Sequence, residues 1–264
     1  MEKYIPFKET VIRITDQGAG KIVVLIHGYL ESIETWSDFA SELSKHFRVV
    51  SVDLPGHGKS GTVGTIHTMD MMAEAVNRVL ESLGIEKCTV VGHSMGGYVT
   101  LAFAEKHPEK LESFCLFHSA AGADNDEKRM NRNRDIGLVR EGKKELICNL
   151  HVPKTFADDN LEIMKDKIEI GREIARNTPD EGIIAVLEGM KQRPERYNML
   201  KNSKVPVLFI IGKKDNFFPA AVMEPMVSMP EKAEVLLLEN TGHNGFIEEK
   251  ELSLYTIIKF VNNL

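Results

Sequence analysis

Three cysteines in 264 residues, Cys88, Cys115 and Cys148, are too few and too far apart for a disulfide framework or a paired metal-ligand motif. Cys88 and Cys115 fall in apolar runs and are expected to be buried, inert thiols. There is no excess of basic residues. The net charge of −6 argues against a nucleic-acid surface. No uncharged apolar run approaches the length of a membrane span, and the opening MEKYIPFKET lacks the apolar stretch of a signal peptide. The expectation is a cytoplasmic protein, monomer or homodimer, with neither nucleic acid nor membrane as partner. Internal repeats and low-complexity tracts are absent too, which argues against solenoids and disordered arms.

What is present is ordinary globular material, with 42% hydrophobic and 27% charged residues in a chain long enough to bury a large core. Apolar runs alternate with helical patterns at both ends of the chain, the signature of α/β architecture with a mostly parallel sheet. Strands are predicted at 10–15, 21–27, 47–53, 88–93, 114–119, 205–212 and 234–240. Trp36, Phe39, Ala40 and Leu43 mark a short helix, and Met69, Met72, Ala73, Val76, Leu80 and Leu83 a longer one over about 68–83. A third helix starts near 95 and stops at His107-Pro108. Between 122 and 202 the strand signals vanish. Leu161, Met164, Ile168 and Ala175 mark one helix there, and Ile183, Ile184, Leu187 and Met190 another. A structureless loop of that length is improbable, so the expected division is a core of 1–121 and 203–264 and a helical cap of 122–202.

Gly92-His93-Ser94-Met95-Gly96 fits G-x-S-x-G between a buried-strand pattern and a helical one. A sharp strand-to-helix turn crowds the serine backbone, so its neighbours two residues away must be small. Asp215 follows the strand at 205–212, and His243 follows the one at 234–240. In a parallel sheet the loops after such strands gather on one edge. The chain order Ser94, Asp215, His243 suits a nucleophile, an orienting acid and a general base. His27-Gly28-Tyr29 ends another strand, and the backbone N–H groups of Tyr29 and Met95 are the expected oxyanion donors.

Taken together, HGYLES, DLPGHGKS, GHSMGG, Asp215 and His243 resemble the α/β-hydrolase superfamily over about 20–120 and 203–264. They resemble most its small cytoplasmic capped members, the esterases, lactonases and thioesterases. The resemblance implies hydrolysis of a small carboxylic ester, lactone or thioester through an acyl-enzyme on Ser94, with no metal or organic cofactor. The same triad in relatives also serves C–C bond hydrolysis, elimination and acyl transfer, or marks a small-molecule receptor.

Other features compete. Gly58-Lys59-Ser60 imitates the end of a phosphate-binding loop, but that motif's first glycine would fall at Asp53. Gly56, Gly58 and Gly61 fit a dinucleotide fingerprint, yet Pro55 precedes them and no helix follows closely. Asp53 rivals Asp215 but precedes the serine. His27, Gly28 and His93 are possible lining of the site, as is His57; His46, His67, His107, His118 and His151 carry no motif and are expected to pack or face solvent. Arg129, Arg132 and Arg134 form a basic cluster that could meet an acidic substrate group, or simply a solvated helix face.

Overall fold

A computed structural model describes residues 1–219 and 221–264 in full and gives helix bounds that include position 220. The chain opens with β1 (Glu2–Phe7), β2 (Thr10–Gln17) and β3 (Ile22–Ile26), then α1 (Ile33–Leu43) and β4 (Arg48–Val52). Next come α2 (Met69–Ser82), β5 (Cys88–His93), α3 (Met95–Lys106) and β6 (Leu111–Phe117). A wholly helical segment follows: α4 (Asp126–Arg140), α5 (Lys144–Lys154), α6 (Lys165–Arg176), α7 (Asp180–Gln192) and α8 (Tyr197–Lys201), with a one-turn helix at Asp158–Asn160. The core resumes with β7 (Val207–Gly212), α9 (Ala220–Val227), β8 (Ala233–Leu238), α10 (Gly245–Glu248) and α11 (Lys250–Asn262).

The eight strands run in the order β1-β2-β4-β3-β5-β6-β7-β8, antiparallel across β1, β2 and β4 and parallel from β4 onward. Strand alternation divides the core. Val24, Ile26, Val50, Val90 and Leu116 face α2 and α3, whereas Val23, Leu25, Val49, Val91 and Phe117 face α1 and α11. Burial on both faces explains why these strands read as unbroken apolar runs. From β3 the chain crosses to β4 on one side and returns as β5 on the other. That reversal opens a crevice at the carboxyl ends of β3 and β5.

β1 was not anticipated. Only Ile5 and Phe7 of this edge strand are buried, so alternation is weak, and Pro6 masks the strand signal. α2 matches expectation to within a residue at each end. Thr68 caps it by accepting a hydrogen bond from the Met71 N–H. All three cysteines are buried thiols.

Candidate functional site

Ser94 sits between β5 and α3 at φ 51° and ψ −115°, a conformation that L-residues avoid. Its neighbours hold it there. Its N–H donates to the Phe117 carbonyl at 2.9 Å, and the Ser119 hydroxyl donates to its carbonyl at 2.6 Å. A Cβ at Gly92 would lie 2.2 Å from Thr100 Oγ1, and one at Gly96 would lie 2.4 Å from the Ile26 carbonyl oxygen. Glycine at both places is therefore a packing requirement.

Asp215 and His243 lie in the loops after β7 and β8. His243 Nδ1 is 2.7 Å from Asp215 Oδ2. A carboxylate only accepts, so the proton is on Nδ1 and Nε2 is the basic nitrogen. Asp215 Oδ1 accepts the N–H groups of Phe217 at 2.7 Å and Phe218 at 3.0 Å. Burial alone would raise the Asp215 carboxyl, but His243, His118 and their hydrogen bonds hold it well below the usual carboxylate range. The acid is charged at any working pH.

Two histidines without any motif join this group. His118, at φ 50°, meets the Gly245 N–H at Nε2 at 3.0 Å and the Gly212 N–H at Nδ1 at 3.2 Å, with Nδ1 also 3.3 Å from Asp215 Oδ2. Burial pushes its ring down to about 4, so it is neutral at pH 7. His151 comes from α5 and packs edge-on against Tyr29 at 5.2 Å and against Phe217 at 5.1 Å, and Phe217 lies 5.0 Å from the His243 ring. No sequence signal could have found either: their partners are about a hundred residues away, or on another element. The facing atoms of His118, Asp215 and His243 lie within 4.8 Å of one another. Between Asp215 and His243 that space already holds an Nδ1 proton, which a metal would have to displace.

His27 and His93 stand behind the wall of the site. His27 is buried, with Nδ1 on the Gly28 carbonyl at 2.8 Å and Nε2 accepting the Leu54 N–H at 3.0 Å. His93 is equally buried and bonded on both nitrogens, to Glu31 and to the His243 carbonyl. His57 packs on His27 at 5.1 Å. The Gly28 N–H is taken by Glu31 Oε2 at 2.6 Å, which leaves Tyr29 as the candidate donor of that loop. Asp53 faces away from this group: it accepts from Arg13 at 3.1 Å and from the N–H groups of Ile33 at 2.7 Å and Lys59 at 2.9 Å. Gly58, at φ 54°, lets the chain wrap closely around that carboxylate.

The three arginines of α4 do not converge. Arg129 and Arg134 are exposed beside Asp126 and Asp135, whereas Arg132 turns inward to Asp124, which also binds Arg193 at 2.5 Å. A cavity of about 320 Å³ lies between α5 and α6 on one side and α1 and α10 on the other. Leu30, Phe39, Val152, Phe156 and Ile170 give it apolar walls, and Tyr29, His151 and Asn244, the last adjoining His243 in the chain, also line it.

A parallel sheet with a strained serine at its switch point, and an acid–histidine pair on the same edge, defines a class of α/β enzyme. Residues 21–250 match the family model for the alpha/beta hydrolase fold, and the chain belongs to that family. It is 29% identical over 267 residues to the 2-hydroxy-6-oxononadienedioate/2-hydroxy-6-oxononatrienedioate hydrolase of Paraburkholderia phymatum, covering 96% of this chain and 91% of that one. A thermophilic esterase from Thermogutta terrifontis, solved with malate bound, superposes with a TM-score of 0.95 at 28% identity, covering 100% of this chain and 98% of the other. The enol-lactonase of Burkholderia xenovorans shares the fold, with a TM-score of 0.91 at 23% identity over 98% of this chain and 100% of that one. The protein is an enzyme of the hydrolase type. None of the helices among the described residues is long and apolar enough to cross a membrane.

Proposed function

We propose that the protein is a serine hydrolase of small carboxylic esters, lactones or thioesters. The observation that carries this is the 2.7 Å bond from His243 Nδ1 to Asp215, which leaves Nε2 basic on the edge where Ser94 emerges. Ser94 Oγ attacks the carbonyl carbon while Nε2 takes its proton, and Asp215 stabilises the imidazolium. The oxyanion rests on the backbone N–H groups of Tyr29 and Met95. Collapse of the adduct releases the alcohol or thiol, protonated by His243. Water, deprotonated by the same nitrogen, then frees the acid. The residues at 122–202 act as a cap, and the cavity under α5 and α6 suits an apolar arm of limited size, which favours short to medium acyl chains over long-chain lipids.

The relative from Paraburkholderia phymatum favours a second reading, in which the same triad hydrolyses a carbon–carbon bond of a keto-acid. Turnover per active site across soluble nitrophenyl esters from acetyl upward, lactones, thioesters and a vinylogous 1,5-diketo-acid distinguishes the two. The ester reading expects a maximum at short to medium acyl chains. A maximum at long chains, or turnover of the keto-acid alone, would refute it.

A further inference from the structure

Glu31 lies on the turn between β3 and α1, its side chain only 14% exposed. One oxygen, Oε2, accepts the Gly28 N–H at 2.6 Å and faces His93 Nδ1 at 3.0 Å. The other nitrogen of His93 lies 2.8 Å from the His243 carbonyl oxygen. Carboxylate and carbonyl oxygens only accept, so each ring nitrogen of His93 carries a proton. The ring is fully buried, with Trp36, Phe117 and Phe246 packed edge-on around it. An imidazolium persists in such surroundings only beside an opposite charge.

We propose that Glu31 and His93 form a buried carboxylate–imidazolium pair that positions the catalytic groups. The carboxylate fixes Gly28 in the loop that carries the oxyanion donor. The imidazolium, one residue before the nucleophile, fixes the backbone of the general base. Three strand ends are thereby joined by one chain of hydrogen bonds. The charge state stands on the geometry alone, whereas the catalytic consequence rests on the acyl-transfer reading.

The surrounding charges agree with the pair. Burial acting alone would raise Glu31, but the His93 charge, its hydrogen bond and that of the Gly28 N–H hold the carboxyl at about 2. Burial would lower His93, and Glu31, the His243 carbonyl and then Asp215 raise it instead. His243 and His118 lie 4.9 and 6.1 Å from the His93 ring, and His118 is neutral at pH 7. On the other side, His27 Nδ1 lies on the Gly28 carbonyl at 2.8 Å, with Nε2 accepting the Leu54 N–H.

Long-range ¹H–¹⁵N spectra of the histidine rings, assigned with His93→Gln, read the charge directly. Both His93 nitrogens should still be protonated at pH 8, where a free imidazole is neutral. A His93 ring that is neutral at pH 7 overturns the pair, whatever the variants do. Glu31→Gln keeps an oxygen for the Gly28 N–H but removes the charge. It should leave His93 neutral at pH 8 and lower kcat about tenfold with KM within about twofold, because displacing reacting groups slows the reaction more than it weakens binding. Glu31→Asp, which restores the charge, should recover part of that loss and the protonated ring. A folded Glu31→Gln enzyme with kcat within twofold of the parent refutes the positioning role. Fluorophosphonate labelling of Ser94 in the parent enzyme separates failure of the acyl-transfer reading from failure of this one. If Glu31→Gln does not fold, the titration of His93 in the parent enzyme decides.

Discussion

Replacing either of two buried aspartates, Asp215 and Asp53, by asparagine should produce opposite kinds of damage. At Asp215 the surroundings of the two oxygens differ. Oδ1 receives the Phe217 and Phe218 N–H groups, and Oδ2 faces the Nδ1 atoms of His243 and His118. In Asp215→Asn the amide oxygen keeps the backbone donors, and the NH₂ turns toward the imidazoles. His243 can answer by moving its proton from Nδ1 to Nε2. The fold is thereby spared most of the cost, about 1–2 kcal/mol remaining, but Nε2 can no longer accept the Ser94 proton. Reversal of the tautomer costs about 10⁴ in turnover, equivalent to about 5 kcal/mol of barrier. At Asp53 no such escape exists. Arg13, Ile33 N–H and Lys59 N–H are all donors that cannot become acceptors, and both charged side chains are buried. Because Arg13 keeps its pairs with Glu34 and Glu2, Asp53→Asn should cost about 1–3 kcal/mol of stability and leave turnover of the folded enzyme within about fivefold of the parent. Nitrophenyl ester turnover per folded site, with urea unfolding of each variant, measures both. A folded Asp215→Asn enzyme that keeps more than about a hundredth of parental turnover refutes the reasoning, as does an Asp53→Asn enzyme equally inactive while folded.

Ser94→Gly and Ser94→Ala should both abolish ester turnover, yet differ in stability. Glycine relieves the strain at φ 51°, and its variant should be more stable than the alanine one by about 1 kcal/mol in urea unfolding; equal stabilities would show that the elbow is unstrained. His151→Phe should flatten the acid side of the stability profile. Burial, and then His243, push the His151 ring down to about 4, below its value in the unfolded chain. Between pH 6.5 and 4 the unfolded chain therefore binds a proton that the folded one does not, and stability falls as pH falls. The variant should lose roughly 2 kcal/mol less than the parent between pH 7.5 and pH 4.5. An unchanged slope would mean that the ring is protonated in the folded enzyme.

The most legible parts of the fold were the central strands buried on both faces and the amphipathic α2. Runs such as Val23–Ile26 and Val207–Ile211 cannot be mistaken for surface, and β8, though half exposed, is an apolar run that brings His243 to the edge of Ser94 and Asp215. β1 escaped because only Ile5 and Phe7 of this edge strand are buried and it includes a proline. The interior wiring of the site was not legible either. Glu31 is one of two acids within four residues, and only the fold turns it toward His93 while Glu34 pairs with Arg13. His118 lies 97 residues before Asp215, and no local pattern signals that pairing. In α4 the sequence shows three neighbouring arginines, yet helical rotation sends Arg132 inward to Asp124 and leaves the other two in solvent.

The central claim is that Ser94 is an activated nucleophile, and a fluorophosphonate probe tests it most directly, because it reacts with a serine only when a base and an oxyanion hole serve it. Peptide mapping of the labelled protein should find one modified residue, Ser94, with labelling lost in Ser94→Ala and strongly slowed in Asp215→Asn. Labelling of another serine, or undiminished labelling of the Ser94→Ala protein, would contradict the account.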